Sequence, residues 1–137
     1  MKTILLFFCI VTSVYVNGQS TELKMEPQEL FRNEAGNARL YRLPDLTTDR
    51  YGFYFRDLGR KRKVDIDHFG FPDVREILIL FEKVLRTIED GKDREYTVCN
   101  ELILISSETH GIATILTRKG YCQLSEEDVK AILILFE

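Results

Sequence analysis

Most of the equipment by which enzymes are recognised is missing from this sequence. There is no Gly-rich phosphate loop and no G-x-S-x-G turn. Only two histidines, His68 and His110, are available as imidazole bases. Ser106 and Ser107 stand near His110, but the tip of a hairpin excludes water poorly. No Asn-x-Ser/Thr acceptor occurs, so N-glycosylation is not expected. No apolar run has the ~20 residues of a comfortable membrane span. Charge of one sign is also scarce. A formal net charge of -3 gives no reason to expect bulk attraction to nucleic acid or to an anionic membrane. There are three cysteines, which leaves room for one disulfide at most.

What is present starts with a repeat. The segment Asp73 to Glu82, DVREILILFE, returns as Asp128 to Glu137, DVKAILILFE, with differences only at Arg75/Lys130 and Glu76/Ala131. Both copies predict a helix. Val74, Ile77, Leu78, Phe81, Val84, Leu85 and Ile88 recur at three- and four-residue spacing, on one helical face. Pro72 suits the first helical position, and Gly91 is a natural stop. Val129, Ile132, Leu133 and Phe136 repeat the phase, and Ser125 with Asp128 forms a capping box at the start.

The first residues resemble a secretory leader. Lys2 is the charged start, Ile4 to Val14 the apolar core, and Val16-Asn17-Gly18 offers small residues for cleavage before Gln19. Bulky Phe7 and Phe8 before Cys9 do not fit a lipoprotein signal. A signal peptide over 1–18 and a soluble, secreted or periplasmic product are therefore expected, with no membrane span after cleavage. Cleavage would leave Cys99 and Cys122, an even pair in an exported chain.

Residues 19–50 read as an N-terminal extension, with a short helix near Glu26 to Phe31 and a strand from Ala38 to Leu43 that Pro44 ends. Tyr51 to Asp57 alternates, with Phe53 and Phe55 on one face and Tyr54 and Arg56 on the other. Lys63 to Asp67 alternates again, with Val64 and Ile66 expected inward. Further strands are expected within Glu95 to Ile105 and Ile112 to Thr117. Leu102-Ile103-Leu104-Ile105 is apolar throughout, as a strand covered on both faces would be. The order predicts a duplicated ββα-ββα domain over 51–137, with units at 51–91 and 95–137. The expected class is α+β, with one antiparallel sheet of four or five strands and both helices on one face. If His110-Gly111 is a two-residue turn, Thr109 faces Ile112 and, counting outward, Cys99 faces Cys122. A Cys99–Cys122 disulfide is then expected.

Three constellations carry chemistry. Arg60-Lys61-Arg62-Lys63 is the densest charge run, able to grip an acidic protein surface or simply to solvate a turn. Asp65, Asp67 and His68 place oxygen and nitrogen donors together, but no spacing matches a known metal loop, and no metal or other cofactor is expected. Phe53, Phe55, Phe69, Phe71, Phe81 and Tyr121 could line a pocket or fill a core. The preferred reading is an exported, non-enzymatic protein-binding module, inhibitor- or immunity-like. Its contact residues are Tyr54, Arg60, Lys61, Arg62 and Lys63, and its partner presents an acidic surface. The alternatives are a carrier of lipid or another small ligand between sheet and helices, and an enzyme using carboxylates near Asp65 and Asp67. The apolar second helix suggests a homodimer contact.

Overall fold

The structure, a computed structural model, describes residues 26–59, 66–108 and 111–137. Four strands, β1 (Gln28–Arg32), β2 (Ala38–Leu43), β3 (Arg50–Arg56) and β4 (Ile66–Phe71), form an antiparallel meander followed by helix α1 (Val74–Asp90). The order is then repeated. Strands β5 (Arg94–Val98), β6 (Glu101–Ser107), β7 (Ile112–Leu116) and β8 (Tyr121–Ser125) form a second antiparallel meander, and helix α2 (Glu126–Ile134) follows. The class is α+β as expected, but there are two sheets of four strands in place of one sheet of four or five.

The extra strands arise at three places, the last of them β8, which follows the turn at Thr117 to Gly120. The Glu26 to Phe31 segment, expected as a helix, is β1. A helix that short, with Leu30 and Phe31 as its only anchors, repays its nucleation poorly. Pairing with β2 satisfies the backbone instead, and a bulge between Glu29 and Phe31 leaves Leu30 and Phe31 both partly buried on the core. The second place is Cys99-Asn100. Both residues have positive φ, 50° and 63°, and Val98 pairs with Glu101 across them. This two-residue turn divides one expected strand into β5 and β6. Ile103 and Ile105 point inward while Leu102 and Leu104 are exposed, so β6 has one wet face and is not covered on both.

Parity decides the first sheet. Tyr51, Phe53 and Phe55 of β3 face the core, with Tyr54 and Arg56 outward. In β4 the expected parity is reversed: Ile66 is 68% exposed and Asp67 only 8%. Phe55 pairs with Asp67 and Phe53 with Phe69, so the odd-numbered residues take the inner face. Burying both Phe69 and Phe71 outweighs burying Ile66 alone.

The inner faces and both helices share one core. The Phe53 ring lies 5.4 Å from Phe69 and 5.5 Å from Phe81 of α1, and Tyr51 meets Phe136 edge-on at 5.8 Å. Helix α1 also lies against β5, β6, β7 and α2. Asp73, not Pro72, begins it: its carboxylate accepts from the Glu76 N–H at 3.0 Å. Gly91, at φ 73°, closes its far end. The capping box on α2 is present as expected, with Ser125 and Asp128 exchanging bonds of 3.1 Å.

Candidate binding face on the first sheet

Polar groups converge in two regions, the junction of the two halves and the outer face of the first sheet. The junction is made by groups that the alternation turns inward. The Leu58 N–H donates to the Tyr121 carbonyl at 3.0 Å. Asp57, buried after β3, accepts from the Gly59 N–H at 2.9 Å and the Tyr121 N–H at 3.1 Å. Asp67 accepts from the Thr117 hydroxyl at 3.2 Å and from the His68 N–H at 2.8 Å, and Lys119 Nζ lies 3.7 Å away. Gly120 has no room for a side chain, since a Cβ there would stand 2.4 Å from Asp57 Cγ. Asp67, expected on an exposed face beside Asp65, is thus a buried acceptor that ties β4 to the β7–β8 turn.

The outer face of the first sheet has a different character. Its register sets side chains in rows across the strands. Arg39 of β2 faces Tyr54 of β3, which faces His68 of β4. In the next row Tyr41 faces Gly52 and Gly52 faces Gly70. The two glycines leave a bare patch, and the Tyr54 ring covers part of it: a Cβ at Gly52 would come within 2.9 Å of Tyr54 Cε2. Tyr54 stacks on His68 at 5.1 Å and meets Tyr41 edge-on at 5.5 Å. An open groove of about 520 Å³ runs here, lined by Arg39, Tyr41, Leu43, Tyr54, Arg56 and Ile66 among others.

Glu29, on edge strand β1, borders this face. Its carboxylate accepts from Arg32 at 3.0 Å and from the Tyr41 hydroxyl at 3.3 Å, and Arg39 Nε is 4.0 Å away. The hydrogen bond from Arg32 is the main reason that the Glu29 carboxyl titrates below its ordinary value. Arg56 is exposed and has no carboxylate partner among the described residues.

Of the residues singled out from sequence, Tyr54 lies in the groove and His68 supports it. Arg60, Lys61, Arg62, Lys63, Asp65 and His110 lie outside the described residues, as does the leader over 1–18. Arg56 and Ile66, at the two ends of the connection that carries the basic run, both line the groove. Of the aromatic rings that could line a pocket or fill a core, Phe53, Phe55, Phe69, Phe71 and Phe81 are buried and pack on one another, while Tyr121 is half-buried beside Gly59.

Cys99 and Cys122 are not bonded to each other, contrary to expectation. Cys99 is exposed in the β5–β6 turn, and Cys122 is buried opposite Ile115 on β8. The expected register ran β7 straight on past Leu116. The turn at Thr117 to Gly120 instead folds β8 onto the far side of β7 from β6, which separates the two thiols. Burial pushes the Cys122 thiol far above its usual range.

Sequence reasoning missed Arg39, Tyr41, Glu29 and Arg56 as a group. The alternation in β3 placed Arg56 on an outer face, but Arg39 and Tyr41 were expected only within a strand and Glu29 within a helix, and which strands were neighbours was not encoded locally. Among the described residues no helix is long and apolar enough to cross a membrane, and no cluster of metal-binding side chains occurs. The chain matches no protein family, no curated protein and no solved structure.

Proposed function

We propose that the protein is an exported, non-enzymatic binding module whose outer sheet face docks an acidic surface of a partner protein. The observation that carries this reading is the composition of the groove. Tyr41 and Tyr54 line it together with Arg39 and Arg56, and tyrosine and arginine are the side chains that most often anchor protein interfaces. Arg60, Lys61, Arg62 and Lys63 belong to the connection whose ends, Arg56 and Ile66, line the same groove. They would add positive potential that steers an acidic partner.

The test is site-specific photo-crosslinking in the secreting cell, from position 54 in the groove and from position 102 on the opposite sheet. A discrete protein adduct is expected from position 54 alone. It should disappear when Arg60, Lys61, Arg62 and Lys63 are changed to glutamate, with the circular dichroism spectrum unchanged. Adducts from both positions alike, or an adduct indifferent to the charge reversal, would sink the assignment. The homodimer reading rests on Ile134 at the end of α2 and Leu135 just beyond it, both exposed. It requires sedimentation to show a dimer that Ile134→Lys dissociates.

A further inference from the structure

We infer that the groove receives an extended acidic segment of the partner, and that Glu29 is the internal competitor that sets its affinity. The inference rests on the docking reading above and names the chemistry of the docked piece. A groove of about 520 Å³ has room for a few side chains, not for a folded surface. Its apolar walls, Leu43, Tyr41 and Ile66, suit one hydrophobic side chain of such a segment.

The charge on the face points to carboxylates. Arg39 and Arg56 both line the groove, on neighbouring strands, with Tyr54 opposite Arg39 in the register. Guanidinium groups bind carboxylates in a fixed, paired geometry. The face already holds one carboxylate, because Glu29 engages Arg32, Arg39 and the Tyr41 hydroxyl. Two of those three groups belong to the groove. A partner carboxylate that approaches Arg39 and Tyr41 therefore meets Glu29 as a rival, while Arg56 is open to it. Glu29 is on an edge strand and its side chain is 32% exposed, so it can be displaced without opening the core.

The experiment is a nuclear magnetic resonance titration of the purified chain with the synthetic peptide acetyl-EEFEE-amide, at low and at high salt. Saturable shifts are expected at Arg39, Tyr41, Tyr54 and Arg56, weakening as salt rises. Glu29→Gln should tighten binding by about twofold to fivefold, the range for an exposed ion pair. Arg56→Glu should weaken it by about fivefold to tenfold. Lys130→Glu, on α2, should leave it unchanged. Unaltered affinity in Glu29→Gln overturns the competitor role, and equal shifts from free glutamate or inorganic phosphate overturn the peptide assignment. The two readings fail separately. A crosslinked adduct at position 54 without peptide binding removes this inference and keeps the docking face. Peptide binding as described with no adduct in the cell keeps the groove chemistry and removes the protein-docking reading.

Discussion

Gly120 and the two cysteines show how much one residue's surroundings decide. A methyl group at Gly120 would fall on the Asp57 carboxylate, which holds the Gly59 and Tyr121 N–H groups. Gly120→Ala is expected to lower stability by about 1–3 kcal/mol in urea denaturation, the usual range for overpacking. Equal midpoints for the two proteins would mean that the junction is not close-packed. The cysteines offer a check without mutation. Cys99 is exposed and Cys122 is sealed in the core as a neutral thiol. In the chain cleaved before Gln19, a thiol reagent should modify one cysteine, Cys99, in the native state and a second only after denaturation. Tyr96 makes a third case. Burial, and then its hydrogen bond to Glu76, raise its phenol from 10.0 to about 12. The unfolded chain loses this proton first as pH climbs from 10, so the stability tied to the neutral phenol is present below 10 and lost toward 12. Tyr96→Phe should flatten that part of the alkaline stability profile.

At the level of elements, the repeated helix shows that one sequence can be buried in two ways. Leu80 of α1 is fully buried, while Leu135, its counterpart beyond α2, is 43% exposed. Helix α1 has β5, β6, β7 and α2 against it, and the Phe53 and Phe71 rings on Phe81. Helix α2 buries Val129 and Ile132, while Leu133 and, beyond the helix, Phe136 are only partly buried against the core. Leu80→Ala is therefore expected to cost about 2–5 kcal/mol, and Leu135→Ala less than about 1 kcal/mol. Comparable losses in thermal or urea unfolding would refute the difference in packing. The capping of the two helices differs in the same way. Asp73 is an N-cap, whereas its counterpart Asp128 is the third helical residue of a capping box. Ser125, three positions before Asp128, is the N-cap of α2, so α2 begins three residues earlier in its frame than α1 does. Asp90 at the end of α1 pairs with Arg94 at 2.6 Å, which holds its carboxyl well below the ordinary range. That contribution is present above the unfolded carboxylate value, near pH 4, and is lost as pH falls further.

For the whole molecule, the tie between halves and the proposed export are the properties open to measurement. The halves share a core and also the Asp57, Asp67 and Thr117 junction, so they should unfold together in a single transition seen alike by near- and far-ultraviolet circular dichroism. The proposed export predicts an intact mass beginning at Gln19 for protein recovered outside the cell. A full-length mass would remove the secretory part of the function and turn attention to partners within the cell.

The local patterns in the chain were sufficient for the two long helices, the stop at Gly91, the capping box at Ser125 and Asp128, the outward position of Tyr54 and the α+β class. Each of these depends on residues a few positions apart, and the period of 3.6 or 2 records them directly. The number of sheets, the parity of β4, the separation of Cys99 from Cys122 and the convergence of Glu29, Arg39, Tyr41 and Arg56 were decided only by tertiary structure. All four depend on which strand lies beside which, and on which of several apolar sets wins the inner face. Ile66 shows the reason most simply. By itself it reads as a core residue, but pairing β4 with β3 puts Phe69 and Phe71 against the Phe53 and Phe81 rings, and Ile66 is left in solvent on the rim of the groove.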